Sequence, residues 1–491
     1  MDPGAYFVFA VTWIVTSAFS YGYHISALNS AQDVITCRWR GSSIGLSDET
    51  SDRMVALLST NTLGPCIPMS DFMFGFLTSS YTIGGFAGSI YASRLADLSG
   101  RKKTLLLASV MVGIGSITMA ISNSFLIILI GRTIIGLGCG LNTVLVPLYL
   151  SEIAPVSIRG SVGVLNQLAI VTGIFTSQAF SLPFSKPFLW RWIFLLSGVL
   201  SAIQLLTSPI MIESPKWAMD QETRRTKQNS FADSSDRIEH RTSDQDLDDS
   251  ERQNLLNDTS MNLDESEEDP GNLSNSALAQ TGTNRNNLNI FELISEASKD
   301  PALSIGLKIV LITQVGQQLS GINAVLYYST SIMKSVLPTQ AIYISLFITA
   351  INLLMTFPPL FLIDRLGRRP LLLISSTMMA LSSFILGHSI NLGLAIPSSL
   401  AIVIFVAGFS LGLGPVPFVI LSEVVPNHAI SSVGSLGLAV NWASNFIVGL
   451  MFLPLRNWLN NIDGDGDGNV FFIFTALLLL ITILILKCYK R

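Results

Sequence analysis

Twelve runs of apolar residues, each close to twenty residues long, alternate with polar stretches along the chain. A run of about 20 apolar residues can cross the roughly 30 Å hydrocarbon core of a bilayer as a helix. The runs are too long for strands and do not alternate between apolar and polar positions. The pattern therefore predicts an all-α membrane protein with twelve transmembrane helices. The predicted segments cover residues 6–28, 72–93, 104–122, 124–147, 161–181, 191–212, 304–334, 340–363, 370–390, 397–422, 431–455 and 469–487.

The first segment is predicted to be a membrane span and not a cleaved signal peptide. Only Asp2 precedes it where a signal peptide carries basic residues, and its apolar run is long.

A short string repeats at the same place in each half of the chain. Asp97-Leu98-Ser99-Gly100-Arg101-Lys102 follows segment 2, and Asp364-Arg365-Leu366-Gly367-Arg368-Arg369 follows segment 8. The tendency of cytosolic loops to be basic explains the basic residues but not the matched Asp and Gly. A parallel duplication is typical of transporters built from two bundles. We therefore predict a six-helix bundle over residues 1–213, a cytosolic linker over 214–303 and a second six-helix bundle over 304–491.

The composition agrees with a membrane protein. About 49% of residues are apolar and 13% are charged, against roughly 25% charged in a typical soluble domain. A soluble enzyme, a nucleic-acid-binding protein and a disordered scaffold are therefore disfavoured. Residues 220–270 contain 16 acidic and 6 basic residues, a net charge of −10. Because residues 220–289 are polar and poor in aromatic residues, we expect them to be disordered, with an amphipathic helix beginning near Ile290.

The short basic loops predict the orientation in the membrane, because cytosolic loops are enriched in Lys and Arg. We expect both termini and the 214–303 linker to be cytosolic, and the loops after segments 1 and 11 to face the other side. The basic residues that indicate this are Arg101, Lys102, Lys103, Arg159, Arg365, Arg368, Arg369, Lys487, Lys490 and Arg491.

Two features of the predicted non-cytosolic loops have chemical interest. Cys37 and Cys66 share the loop after segment 1, and an oxidising compartment would allow them to form a disulfide.

The loop after segment 11 resembles the start of a calcium-binding loop, in the string Asp463-Gly464-Asp465-Gly466-Asp467-Gly468-Asn469. Its twelfth position is Phe474 instead of Glu, so we expect a flexible turn and no metal site.

Several motifs in a fixed order resemble the sugar porter branch of the major facilitator superfamily, which includes the glucose and hexose transporters. The resemblance covers nearly all of both bundles and is nearest to the fungal branch associated with the vacuole. It implies the major facilitator fold and transport by alternating access, without a cofactor. The motifs are Gly131-Arg132 with Gly136, Gly138 and Gly140; Pro147-Leu148-Tyr149-Leu150-Ser151-Glu152-Ile153-Ala154-Pro155; Arg159-Gly160; Trp190-Arg191-Trp192; Glu213-Ser214-Pro215-Lys216-Trp217; Gln317-Gln318-Leu319-Ser320-Gly321-Ile322-Asn323; Tyr327-Tyr328; Gly414-Pro415-Val416-Pro417-Phe418; Glu423; and Asn441-Trp442.

The resemblance places six amide side chains around a central substrate site. A neutral polyol suits them, since Asn and Gln both donate and accept hydrogen bonds without charge. Each amide alone could instead join two helices. The six are Gln167, Gln317, Gln318, Asn323, Asn352 and Asn441.

Two aromatic residues are expected to pack against the carbon-bound face of a sugar. They are Phe418, at a position where relatives often carry Trp, and Trp442. Ser410 occupies a position where glucose transporters carry Glu. These two departures leave the choice of sugar open.

Helix breaks, a gate and an ion-pair network complete the transport machinery that the sequence predicts. Segments 7 and 10 should be interrupted near Gly321 and over Gly412–Pro417. Tyr327 and Tyr328 fit a gate on the non-cytosolic side or, alternatively, interfacial aromatic residues. The resemblance assigns eight cytosolic charges to pairs between the bundles: Asp97, Arg101, Glu152, Arg159, Glu213, Asp364, Arg368 and Glu423.

His24 in segment 1 leaves two alternatives for how transport is coupled to energy. Proton-coupled relatives often carry Asp at this position, near the arginine that is Arg132 here. Either His24 is a proton site sensitive to Arg132, or it is a neutral hydrogen-bonded residue in a uniporter.

The sequence thus predicts a carrier, not an enzyme, for a hexose or related sugar in a vacuolar or endosomal membrane, acting as a monomer. Two alternatives remain: a non-transporting sugar sensor or trafficking factor, and a carrier for a non-sugar. Glu251, with Leu255 and Leu256, fits an acidic dileucine signal that a sorting adaptor would bind. No nucleotide-binding or hydrolase motif is found in the sequence.

Overall fold

The computed structural model describes residues 3–38, 64–155, 158–219, 221–223, 225–226, 290–334, 336–337, 340–426, 429–463 and 467–489. The regular secondary structure of these residues is helical throughout. Met1–Ile212 and Leu288–Arg491 together form one compact unit, and Glu213–Asn287 forms another. The boundaries proposed for the two bundles and the linker stay a prediction.

Helices occupy all twelve predicted segments, which confirms the fold class. In nine places the described helices are long and apolar enough to cross a membrane. The helices are α1 (Pro3–Ser26), α2 (Asp71–Ser99), α3 (Arg101–Ala120), α4 (Phe125–Ile153), α5 (Arg159–Phe184), α6 (Arg191–Thr207), α7a (Pro301–Leu319), α7b (Ile322–Lys334), α8a (Ala341–Leu354), α8b (Pro358–Leu366), α9 (Arg368–Asn391), α10a (Ala395–Leu411), α10b (Val416–Val424), α11 (Ile430–Asp463) and α12 (Asn469–Cys488).

The predicted breaks in segments 7 and 10 are present, and segment 8 has a third break that the sequence analysis missed. Gly321 separates α7a from α7b with φ +87°, a conformation that glycine adopts without steric cost. Segment 8 was expected to be one helix over 340–363, but it ends at Leu354 and resumes at Pro358. Proline has no N–H to donate and clashes with the preceding turn, so Pro358 begins a helix instead of continuing one.

The repeated Asp-x-x-Gly-Arg string forms the same junction twice. Gly100 between α2 and α3 has φ +94°, and Gly367 between α8b and α9 has φ +83°. The arginine after each glycine donates back to a carbonyl five residues earlier, Arg101 to Ala96 at 3.0 Å and Arg368 to Ile363 at 3.1 Å. The glycine allows the sharp turn, and the hydrogen bond from the arginine stabilises it. This explains why both residues recur at the same positions of the two strings.

Glycines let α2 and α4 pack with their backbones in contact. A Cβ atom at Gly136 would clash with the Tyr81 carbonyl, and one at Gly140 with the Gly85 carbonyl, both well under 3.0 Å. Small residues allow such close approach in membrane bundles, where no hydrophobic force drives helices together.

The amphipathic helix expected near Ile290 is present as Ile290–Lys299. Leu293 and Ala297 on one face are buried against Leu303, Val425 and Val433. This helix therefore lies against the ends of α7a, α10b and α11.

Candidate substrate site and gates

Four of the predicted amide residues join one buried network at the break in helix 7, together with Gln314. Gln318 donates to Asn441 at 3.0 Å and accepts from Asn323. Asn441 in turn donates to the side chains of Gln314 and Gln317, both at 2.9 Å. The sequence analysis missed Gln314, although it lies one helical turn before Gln318. All five amides are uncharged, so the network can donate and accept without the cost of burying an ion.

The network also contacts the break between α10a and α10b. Gln317 donates to the carbonyls of Leu413 and Gly414, at 2.8 and 2.9 Å. A helix break leaves such carbonyls without partners inside the helix. Gln317 therefore supplies hydrogen-bond partners to the carbonyls at the break and links them to the amides of α7a and α11.

Asn352 of α8a has a different partner. Its side-chain oxygen accepts a hydrogen bond from Ser410 of α10a at 2.8 Å. Both side chains are buried. Gln167 is only half-buried and Phe418 is 47% exposed. Among the described residues, neither of these two bonds to the amides or makes a ring contact with them.

Trp442 joins the site to the first half of the chain. Its ring meets Tyr21 and Tyr81 edge-on, with centroids 5.8 and 5.9 Å apart. Edge-to-face pairs are among the favourable aromatic geometries. The sequence analysis missed both tyrosines because aromatic residues at helical spacing are common in any apolar core.

Tyr327 and Tyr328 are buried in the bundle and not at its edge. Tyr327 donates to Asn445 at 3.2 Å, and Tyr328 donates to the Gly449 carbonyl at 3.1 Å. The Tyr328 ring stacks on Phe452, with centroids 5.3 Å apart. Asn445, one turn after Asn441, is a second amide that the sequence analysis missed.

Polar contacts join the two halves at the end of the bundle that contains Asn29. Asn29 donates to Ser329 at 2.7 Å and Ser345 at 3.1 Å, and accepts from the backbone of Thr330 at 3.2 Å. Gln178 of α5 also donates to Ser345 at 3.1 Å. This set, the Asn29 seal, holds the residues just after α1 and helix α5 against α7b and α8a.

One ion pair crosses between the halves beside the Asn29 seal. Lys334, at the end of α7b, pairs with Asp33, and both side chains are about one-third exposed. Neither residue belongs to the motifs that carry the family resemblance.

At the opposite end, the ion pairs of the described side chains lie within each half. Arg101 pairs with Glu152 at 3.0 Å and with Asp97 at 3.2 Å. Arg368 pairs with Glu423 at 2.6 Å. Glu213 accepts from the backbone of Ser214 at 3.0 Å. The side chains of Arg159 and Asp364 lie outside the part that the structure describes.

His24 and Arg132 do not hydrogen bond to each other. His24 Nε2 lies 2.7 Å from Ser197 Oγ of α6. The guanidinium of Arg132 lies over the Tyr81 ring, 4.6 Å from its centroid, and hydrogen bonds to no described residue. Both side chains are fully buried.

Cys37 and Cys66 form a disulfide in the structure, with their Cα atoms 5.3 Å apart. Arg191 anchors the same loop by donating to the Gly64 carbonyl at 2.8 Å, and Trp190 does so by donating to Pro65 at 2.9 Å. Glu251, Leu255 and Leu256 lie outside the described residues.

Helices in all twelve predicted segments, a repeated junction and an uncharged polar site are the features of a multi-pass membrane carrier with the major facilitator fold. The sequence matches the sugar (and other) transporter family over residues 9–491. The chain belongs to this family, whose members are transporters.

Individual relatives and solved structures agree with this. A probable metabolite transport protein of Saccharomyces cerevisiae is 30% identical, over 93% of this chain and 87% of that protein. Facilitated glucose transporter member 2 of Bos taurus is 31% identical, over 91% and 87%. The vacuolar protein sorting-associated protein 73 of S. cerevisiae is 28% identical, over 96% and 90%.

Among solved structures, the inward-open conformation of the xylose transporter XylE from E. coli aligns with a TM-score of 0.67 at 21% identity. The alignment covers 99% of this chain and 96% of that one. At this identity the likeness shows the fold alone.

Proposed function

We propose that this protein carries a neutral hexose or related polyol across its membrane by alternating access. The observation that carries the proposal is the buried network of Gln314, Gln317, Gln318, Asn323 and Asn441. A polyol presents many hydroxyls, each of which donates and accepts, and amides match both roles. An organic cation would instead require a carboxylate in this network, and its five members are all amides.

The partners within the network suggest how a sugar would be held. Gln317 donates to the carbonyls of the helix 10 break, so its amide group is fixed in one orientation. The Asn323 side-chain oxygen has no hydrogen-bond partner among the described residues. It therefore offers an acceptor to a substrate hydroxyl. Trp442 supplies an aromatic surface beside Asn441.

Contacts between the halves support the alternating-access mechanism. The Asn29 seal closes one end, and its hydrogen bonds are individually weak, with a net contribution of about 0.5–1.5 kcal/mol each. A carrier needs two states of similar energy. A small set of polar contacts can keep one end closed and can still break when the two halves rotate relative to each other.

We assign the Arg101 end to the cytosol, since it contains the basic loops of the repeated junction. Both termini would then be cytosolic and the Asn29 seal non-cytosolic. The name of the vacuolar sorting relative and the dileucine string at Glu251, Leu255 and Leu256 favour a vacuolar or endosomal membrane reached through a sorting adaptor. We expect a monomer.

The test is uptake of radiolabelled D-glucose into proteoliposomes containing the purified protein, with a panel of hexoses, amino acids and organic cations as competitors. We expect saturable uptake that other hexoses inhibit. Saturable glucose binding without uptake would indicate a sensor on a carrier fold. Absence of both saturable glucose uptake and saturable glucose binding would overturn the sugar assignment. Repeating the assay with an imposed pH gradient separates facilitated diffusion from proton coupling.

A further inference from the structure

Arg132 of α4 is a buried cation whose hydrogen-bond donors have no partner among the described residues. Its side chain is fully buried, and none of its three guanidinium nitrogens hydrogen bonds to a described residue. The Tyr81 ring lies 4.6 Å from the guanidinium carbon. A ring face attracts the charge, but the N–H donors of a guanidinium lie in its own plane and still need acceptors.

The two other arginines that are buried in the described part of the chain show what such a group requires. Arg191 donates to three backbone carbonyls, at 2.7, 2.7 and 2.8 Å, and it also has a ring contact, with Trp190. Arg101 makes two hydrogen bonds to Glu152, at 3.1 and 3.0 Å. Arg132 has only the ring contact, and a buried charge without a partner is strongly unfavourable.

The helices around Arg132 supply no carboxylate to balance its charge. α4 packs against α1, α2, α3 and α5, and α1, α3 and α5 contain no Asp or Glu. Glu152 lies near the far end of α4, roughly 30 Å along the helix from Arg132. Asp71 and Asp97 lie near the two ends of α2, roughly 15 and 24 Å along it from Tyr81. Both pair with other arginines.

We propose that Arg132 forms the core of a binding site for a small monovalent inorganic anion such as chloride. One negative charge balances the single positive charge, whereas a divalent anion would leave a net charge in the membrane interior. The guanidinium donates to the anion, and Tyr81 covers one of its faces. The site is separate from the amide network, because Arg132 hydrogen bonds to none of the amides.

The site lies where helices of both halves meet. The Tyr81 ring, which contacts Arg132, also contacts the Trp442 ring of α11, with centroids 5.9 Å apart. The Tyr81 hydroxyl donates to the Tyr21 carbonyl of α1 at 3.2 Å. An anion that neutralises Arg132 would therefore stabilise the contact of α1, α2, α4 and α11, and its binding should be visible as an increase in stability.

The experiment measures the melting temperature of the purified protein in detergent while sodium chloride replaces sodium methanesulfonate at constant ionic strength. A ligand that binds only the folded state raises the melting temperature as the site fills. We expect a saturable rise of about 2–5 °C with chloride, and a similar rise with bromide. No saturable effect of chloride on the unaltered protein would overturn the proposal.

Two matched variants attribute the effect to one arginine. Arg132→Gln removes the charge but keeps a polar side chain, and it should abolish the rise with chloride. Arg191→Gln removes the buried arginine that donates to backbone carbonyls. It should melt at a lower temperature but keep the full rise with chloride. An unchanged rise in Arg132→Gln, or a rise lost equally in both variants, would contradict the assignment.

Bromide locates the site even if Arg132→Gln does not fold. Crystals of the unaltered protein grown in sodium bromide should give an anomalous peak within hydrogen-bonding distance of the Arg132 guanidinium. Bromide peaks found only elsewhere would overturn the proposal. Stabilisation by D-glucuronate but not by chloride would also overturn it, since Arg132 would then bind a carboxylate. None of these measurements requires transport, so failure of hexose uptake would leave their outcome unchanged.

Discussion

At the scale of single residues, substrate affinity should depend on the amides of the helix 7 break. Gln318→Ala removes the donor to the Asn441 side-chain oxygen and the acceptor of the Asn323 side-chain nitrogen, and Asn323→Ala removes a side chain that could also bond the sugar. We expect each variant to weaken hexose affinity roughly tenfold or more, as the loss of a buried hydrogen bond costs about 1–3 kcal/mol. The measurement is the KM for D-glucose uptake.

The matched control is Gln204→Ala. Gln204 is a buried amide of α6 that donates to Trp13 and Ser17, away from the network. Its loss should lower stability and leave KM unchanged. Normal kinetics in both Gln318→Ala and Asn323→Ala would contradict the site assignment.

The second residue-scale prediction concerns His24. Among the described residues, its side chain hydrogen bonds to Ser197, and Asn has a polar side chain of similar reach that cannot titrate. If the histidine is structural, His24→Asn should transport almost normally with the same response to pH. If it holds a coupling proton, the variant should lose the response to a pH gradient but still exchange substrate. Uptake between about pH 5 and 7.5 spans the ordinary histidine titration and decides between the two.

At the scale of helices, the contact between α2 and α4 tolerates no side chain at its glycines. Gly140→Val would force a branched side chain against the Gly85 backbone. We expect a loss of stability of about 1–3 kcal/mol or failure to fold, as overpacking does in tightly packed cores. Thermal unfolding in detergent measures this. Gly163→Val is the control, since a Cβ atom at Gly163 would meet nothing within 4 Å; equal melting temperatures would refute the explanation.

The disulfide closes the loop between α1 and α2. We expect a non-reducing mass map to recover Cys37 and Cys66 in one linked peptide pair. Cys66→Ser should lower stability by about 2–4 kcal/mol, because a cross-link restricts the unfolded chain. Cys488→Ser removes a free thiol and should change little. Two free thiols at positions 37 and 66 would count against the pairing.

At the scale of the whole molecule, the ion pair of Asp33 and Lys334 should favour the state that is closed at the Asn29 seal. Lys334→Asp alone would place two negative charges together and open this end. The double change Asp33→Lys with Lys334→Asp should restore the pair in reverse. Because a partly exposed pair is worth about 1 kcal/mol or less, we expect a change of up to about fivefold in accessibility.

The measurement is the labelling rate of Ser79→Cys by an impermeant thiol reagent in protein lacking Cys139 and Cys488. Ser79 of α2 is fully buried and packs against Gly449 of α11. Reversal of Arg38 and Asp71, an ion pair within the first half, is the control and should not alter labelling. If the double variant with Asp33→Lys and Lys334→Asp is labelled as fast as the single variant Lys334→Asp, the ion pair does not stabilise the closed seal.

The sequence by itself determined the helices of the twelve segments, the repeated junction and the family, because these depend on hydrophobic length and local motifs. Gly100 and Gly367 could be predicted to matter because the turn they make is local. Bilayer thickness fixes helix length, so the helix ends differ from the prediction by only a few residues at most positions. The break at Pro358 was also within reach, since Phe357-Pro358-Pro359 is visible in the sequence.

Only the tertiary structure decided which polar groups meet. In the sequence, Gln314 and Asn445 are amides in apolar segments, like the six that were predicted to bind substrate. Only their hydrogen-bond partners, 118 to 127 residues away, show that they belong to the site. The same holds for Asn29, whose partners lie 300 to 316 residues along the chain. Hydrogen bonds act over about 3 Å between atoms, whereas sequence patterns report only neighbours on one helix. Which distant helices come together is therefore set by packing of the whole bundle.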